Sequence, residues 1–290
     1  MIHILGLLVD GILLGLVYAI VGLGLSLVMG IMGIVNVAHS AFIMLGSYFA
    51  FELSRRLGVD PIISFFLCIP VFFVTGILLY RLLVTRVERA AQTQGLVAMF
   101  GLMVLIESVS TIAWTTDTRV ITVAYTNTSV AAGPIVFVNV RMLAGALALL
   151  LVAGFWAFLK YTVIGRGIRA VGQNREAAIA LGLNVRQLTA VMFGLGIACA
   201  GAAGVALAMI FPFAPGTQVQ WLAWAFLVVV LGGLGNVGNT LAAGIMVAMI
   251  QTFAAAYLPF DYVYLLLYGA LAVILVVRRE GLGGAMRRSI

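Results

Sequence analysis

Charge is what this chain has least of. Only 9% of its 290 residues are Asp, Glu, Lys or Arg, where an ordinary soluble domain carries about 25%, so a water-surrounded globule is excluded. Cysteine is nearly absent. Cys68 and Cys199 both fall inside apolar runs, which argues for small core residues and against a disulfide framework. The two histidines, His3 and His39, stand far apart with no cluster of metal ligands around either, so no metal site is expected. There is no GxxxxGK[ST] loop, and ATP is therefore not bound on this chain by that route. No nucleophile stands beside a base in a convincing pattern. Ser40 next to His39 is too little to build intramembrane proteolysis on. No catalytic residue, and no enzyme, is expected.

What the chain does have is hydrophobic length. It is 64% apolar, with a mean hydropathy of +1.22. At about 20 residues per crossing, 290 residues accommodate eight or nine spans with short loops. The apolar runs are long and unbroken rather than short and alternating, which selects helices over a barrel. Spans are read at about 5–30, 40–54, 62–80, 95–115, 141–159, 188–211, 220–234, 239–258 and 262–278. The second and seventh are short, as re-entrant or broken elements would be. The expected fold is an all-α integral membrane protein, one transmembrane domain over 1–290 with about eight spans. The start, MIHILGLLVDGILLGLVYAI, has no positive n-region and carries Asp10; it reads as a retained first span rather than a cleaved signal.

The cations orient the chain. Segments 81–94, 160–187 and 278–290 hold three, five and four of the 16 Lys and Arg residues. Under the positive-inside rule these segments lie in the cytoplasm. The C-terminus is then cytoplasmic, the N-terminus outside, and the loops Thr115–Asn139 and Pro212–Gln220 outside. The net charge of +7 is thereby topology rather than a nucleic-acid footprint.

Two interruptions break the apolar pattern. The first is the run from Met29 to Ser40, with Gly30, Gly33, Asn36 and His39; the second is Leu231 to Asn239, with Gly232, Gly233, Gly235 and Asn236. Both carry a G-x-x-G step followed by polar residues. Loosened helix at membrane depth is tolerated only against protein or a water-filled cavity. Paired breaks in two halves are what repeat-built transporters place around their pathway. Close packing through small residues is the other reading, and the two stand level. The remaining polar groups at depth are Glu107 and Gln251, with Asp261 near an outer boundary. Glu107, among Ser108, Ser110 and Thr111, and Gln251 read as buried polar contacts, a pathway role being the alternative.

The segment 160–187 is the most specific feature. Lys160, Arg166, Arg169, Arg175 and Arg186 stand against one acid, Glu176. Each cation costs roughly 2.5–3.5 kcal/mol at the centre of a span, so this stretch must lie in water. Within it, Arg175, Glu176, Ala177, Ala178 and on to Gly182 give an E-A-A-x-x-x-G pattern. Strong helix formers end at a glycine stop, with Asn174 as the cap and Glu176 in the first turn. The product is a short rigid helix suited to a groove on a soluble partner; an amphipathic helix lying on headgroups is the bland alternative.

These residues resemble the loop by which the permease subunit of an ATP-binding cassette importer docks onto its ATPase. More narrowly, the chain resembles the branched-chain (hydrophobic) amino acid permeases. The resemblance is carried by GLVYAIVGLGLSLVMGIMGIVNVAHSAFIMLGSYFA (15–50), GRGIRAVGQNREAAIALGLNV (165–185) and VVLGGLGNVGNTLAAGI (229–245), three matches in order along nearly the whole chain. The N-V-A-H segment and short N-terminus look like the leucine–isoleucine–valine permease H type, with Ser40 where a glycine is expected. The resemblance implies a two-half pseudo-repeat and a docking helix at Arg175, Glu176, Ala177, Ala178 and Gly182. Its implied partners are a second permease, identical or homologous, two cytoplasmic ATPases that bind ATP and Mg, and a periplasmic amino-acid-binding protein, in a bacterial inner membrane. The implied activity is uptake of branched-chain or other hydrophobic amino acids. Amide, urea or broader amino-acid uptake remain within the family. An ion-coupled secondary transporter using Glu107, His39 and Asp261 is the reading from another class.

Overall fold

The computed structural model describes residues 2–33, 35–87, 92–126, 128–132 and 135–277. The helices are α1 (Ile2–Met32), α2 (His39–Leu57), α3 (Pro61–Leu79), α4 (Thr85–Val87), α5 (Gln92–Trp114), α6 (Asn139–Tyr161), α7 (Val163–Gln173), α8 (Arg175–Ala180), α9 (Val185–Ile210), α10 (Thr217–Gly232), α11 (Val237–Tyr257) and α12 (Phe260–Val277). A π-helical turn, Tyr80–Val84, joins α3 to α4. Six helices, within α1, α3–α4, α5, α6, α9 and α11, are long and apolar enough to cross a membrane. The chain is a multi-pass membrane protein. Among the described residues, strand pairing is confined to Ser129–Ala132 paired with Ile135–Val138 in the 115–138 loop and an isolated bridge between Arg119 and Phe213.

The core is built on two central helices. Most of α1 and α9 is buried inside the protein, because both alternate large apolar residues with Gly and Ala that let neighbours approach. Gly24 of α1 shows the demand most clearly: a Cβ there would sit 2.5 Å from the Gly196 carbonyl oxygen of α9 and 2.9 Å from the His39 ring. The end of α1 lies by the start of α9, since Ile31 packs on the cluster containing Val185. The two central helices are therefore antiparallel.

Around them the packing repeats. α1 packs on α11 as α9 packs on α3; α10 packs on α1 as α2 packs on α9; α2 meets α3 as α10 meets α11, and α2 meets α10. Every relation of α1–α2–α3 has a counterpart in α9–α10–α11, with direction reversed. This is an inverted two-half arrangement, and it assigns the equivalent breaks. The 33–38 interruption between α1 and α2 corresponds to 211–216 between α9 and α10, the Phe-Pro-Phe-Ala-Pro-Gly turn, and not to the glycine-rich run 231–239 paired with it on sequence.

Of the two elements read as short, only α10 is; α2 has 19 residues, as many as α3, and what sets it apart is where it begins. His39 Nε2 lies 3.0 Å from the Val21 carbonyl oxygen, eleven residues before the end of α1. At 1.5 Å per residue that is roughly 16 Å back into the bundle. Residues 35–38 have no helical structure, and α2 begins only at that depth. The shorter α10, at 16 residues, spans about 24 Å against about 30 Å of hydrocarbon.

Candidate functional site

The basic face carries the docking candidate, and its local structure follows from its caps. Thr162 Oγ1 accepts the Gly165 N–H at 2.9 Å to start α7. Asn174 Oδ1 accepts the Ala177 N–H at 2.9 Å to start α8, with Glu176 in the first turn. Gly182 takes φ +78°, and the Leu183 and Gly182 amides donate to the carbonyls of Ala178 and Ile179 at 3.1 and 2.9 Å. That is a Schellman closure, which needs a residue free of Cβ strain at its left-handed position. Asn174 as cap and Gly182 as stop are where the sequence places them.

α8 has two faces. Ala178 is buried against Val171 and Val185, with Ile31 packed onto the same cluster. Arg175, Glu176 and Ala177 are exposed. So are Ile179 and Leu181, the latter at 80%. Ala178 is thus the inward-facing residue of the helix. Ile179 and Leu181, which sequence reasoning passed over, are the apolar residues offered outward. Their signal was present as two large apolar side chains in the segment 160–187, which is too basic to be buried.

The cluster around Ala178 leads directly to the first interruption. Ile31 is the penultimate residue of α1, two before Gly33, whose φ is +67°. It touches α7 as well: a Cβ on Gly172 would lie 3.2 Å from Ile31 Cγ1. The α7–α8 unit therefore rests on the last turn of α1, where the helix gives way at Gly33.

The second interruption lies against the same helix. Ser26 Oγ donates to the Gly233 carbonyl at 3.0 Å and accepts the Gly235 N–H at 3.1 Å. A Cβ on Gly30 would meet the Gly235 backbone at 2.9 Å. Gly232 packs equally closely on Asn239 and Thr240. Gly233 and Gly235 take φ +76° and +80°, and Asn236 Oδ1 caps α11 by accepting the Asn239 N–H at 3.2 Å. Gly30 of the first break is brought against Gly235 of the second, whose glycines make a tight turn clamped on α1. Ser26 was invisible in sequence because it is one hydroxyl in an apolar run.

The polar residues at depth divide into two kinds. Gln251 Oε1 accepts the Tyr18 hydroxyl at 2.6 Å, and Glu107 Oε2 accepts the Gln218 side-chain amide at 2.6 Å; both are paired contacts between helices. Asn36 and His39 are different. Asn36 is 1% exposed and His39 fully buried, and among the described residues neither polar atom of the Asn36 amide, nor His39 Nδ1, has a partner. Such groups normally find one; among the described residues Tyr48 Oη, Ser110 Oγ, Arg119 Nε, Gln218 Oε1 and Trp224 Nε1 are also buried without one, but only at Asn36 are both polar atoms of one side chain unmet. The side chains of Asp261 and His3, Arg89 and the segment 278–290 lie outside the described residues.

A cavity of about 900 Å³ opens where the basic face meets the bundle, between α1, α6, α7 and the α10–α11 turn. Gly30, Gly235 and Asn236 form part of its wall.

Residues 7–276 match the family described as branched-chain amino acid transport system / permease component. The high-affinity branched-chain amino acid transport system permease protein BraD of Pseudomonas aeruginosa is 25% identical, over 97% of this chain and 96% of that protein. LivH of Escherichia coli, described in the same words, is 25% identical over 95% of this chain and 94% of its own. A probable branched-chain amino acid transport permease protein, LivH of Methanocaldococcus jannaschii, is 24% identical over 82% and 77%. Among solved structures, PsaBC from Streptococcus pneumoniae in complex with Fab aligns over 97% of this chain and 92% of that one, with a TM-score of 0.47 and 15% identity.

Proposed function

From the chain's membership of the branched-chain amino acid transport system permease family, we propose that it is the membrane permease subunit of an ATP-binding cassette importer. It passes branched-chain or other hydrophobic amino acids across a bacterial inner membrane. The reading is carried by one observation: a capped surface helix with outward Ile179 and Leu181 is anchored through Ala178 on the last turn of α1.

In this reading the α7–α8 face is cytoplasmic, with the C-terminus on that side and the N-terminus opposite. Two ATPase subunits, which bind ATP and Mg, dock on α8 through Arg175, Glu176, Ala177, Ile179 and Leu181. A binding protein delivers the amino acid at the other face, and a second permease, a copy or a homologue, completes the path. ATPase closure pulls on α8. The buried cluster of Val171, Ala178, Val185 and Ile31 passes the displacement to the end of α1, as a rigid-body shift between two packed arrangements. Gly30, Gly33, Gly232, Gly233 and Gly235 serve this movement as close contacts and turns. Asn36 and His39 are the groups the movement brings to the pathway. A zwitterion with an apolar side chain needs polar partners only briefly, and their unmet hydrogen-bonding capacity supplies them.

An ion-coupled transporter would need Glu107, His39 and Asp261 as its relay. Glu107 is engaged by Gln218, and His39 by the Val21 carbonyl, which weighs toward the importer. The test is purification of the chain from its native membrane in mild detergent, followed by uptake in liposomes. Recovery of an ATPase and a second permease, with uptake driven by ATP, is the expected result. Recovery of the chain alone, active on an ion gradient, would overturn the reading.

A further inference from the structure

We propose that the cavity at the basic face is a binding site for one acidic phospholipid. Its wall is mainly apolar, with Leu27, Trp156, Leu159 and Ile168 among the residues that form it. Two cations line it, Lys160 and Arg169. Among the described residues no carboxylate lines it, and neither cation has an ion-pair partner. An apolar pocket with two unneutralised cations has the chemistry of an amphiphile carrying a negative headgroup.

Position selects lipid over a soluble anion. Lys160 is the second-to-last residue of α6, the point where a spanning helix leaves the hydrocarbon. Its ammonium lies 4.5 Å from the Trp156 ring centroid and 5.3 Å from that of Tyr161, the Lys–aromatic grouping of a membrane interface. Trp156 both lines the cavity and is 45% exposed. The exposed surface continues over Tyr161, Val163 and Ile164, which gives acyl chains a path in from the side. Basic pockets between spanning helices at such a boundary suit anionic headgroups. In the site we infer, Lys160 and Arg169 hold the phosphate, the polar side chains of Gln173 and Asn236 face the headgroup, and one acyl chain lies over Leu27, Trp156 and Leu159. The volume of about 900 Å³ holds a headgroup and the upper part of a chain, not a whole diacyl lipid, so the tails extend into the bilayer.

The wall shared with Gly30, Gly235 and α7 gives occupancy a consequence. A lipid seated there braces α7 against the clamped turn, between the docking unit and the hinge of α1. This consequence rests on the importer reading; the binding itself does not.

The test is native mass spectrometry of the full chain in detergent with equal amounts of phosphatidylglycerol and phosphatidylcholine. Wild type is compared with Lys160→Ala/Arg169→Ala, the charge-conserving Lys160→Arg/Arg169→Lys, and Arg166→Ala, whose residue is exposed outside the cavity lining. Wild type should retain phosphatidylglycerol selectively. The double alanine variant should lose about thirtyfold in that preference, five- to sixfold per cation, while the conservative variant and Arg166→Ala keep it. Millimolar inorganic phosphate should not displace the lipid. Equal retention of both lipids by wild type, unchanged selectivity in the double alanine variant, or displacement by phosphate would each overturn the proposal.

Discussion

Ser26 of α1 joins the turn between α10 and α11 at Gly233, donating its hydroxyl to that carbonyl at 3.0 Å across 207 residues of chain. The same oxygen accepts the Gly235 N–H. One buried hydroxyl thus ties the second interruption to the helix that carries the first, so the two cannot shift independently.

Ser26→Ala should loosen this tie without altering the fold. Loss of a neutral buried hydrogen bond costs about 1 kcal/mol, somewhat more where a partner is left unmet. The Gly233 carbonyl loses its partner, while the Gly235 N–H retains the Ser26 carbonyl oxygen at 3.2 Å. A fall of about 2–6 °C in thermal midpoint in detergent is expected. An unchanged midpoint would show that Gly30 and Gly235 hold the turn by packing alone.

At the docking helix, Gly182→Val places a β-branched residue at φ +78° and should fray the end of α8. Ile179→Asp/Leu181→Asp leaves the helix intact and removes its outward apolar face. Both should reduce copurifying ATPase and ATP-driven uptake by about tenfold or more, the scale of losing two interface anchors. Normal monomer elution and helicity would show that the fold survives. Unchanged uptake in both would remove α8 from the interface.

Asn36→Leu offers a separation of stability from activity. Burying an unpartnered amide costs about 1–3 kcal/mol, so the apolar replacement should raise the thermal midpoint or leave it level. Uptake should fall sharply, because the polarity the substrate needs is gone. A midpoint several degrees lower with proportionate loss of uptake would make Asn36 a structural residue whose partner forms in the assembled transporter.

Glu107→Gln keeps a hydrogen-bonding side chain opposite Gln218 and should retain uptake. Glu107→Leu strands the Gln218 amide and should lower the thermal midpoint by a few degrees, on the order of 1–3 kcal/mol. Complete loss of uptake in Glu107→Gln with normal assembly would move Glu107 into the pathway.

What the sequence determined by itself was whatever depends on solvent and on neighbours a few residues away. Hydropathy marked the spans, including α10 as short, because lipid allows no unpaired backbone; it cut α2 short at its charged end, where Glu52, Arg55 and Arg56 continue the helix to Leu57. Asn174 and Gly182 announced the ends of α8, because caps act within one turn. Long-range pairing was decided only in the tertiary structure. That run 231–239 folds onto Gly30 and Ser26, rather than serving as counterpart to 29–40, depends on α1 and α11 lying side by side. That Ala178 faces inward while Ile179 and Leu181 face out depends on Ile31 and Val185 arriving from distant helices. In the same way, Glu107 and Gln251 have partners while Asn36 does not, since a hydrogen bond is settled by which groups converge in space, and no local pattern records that.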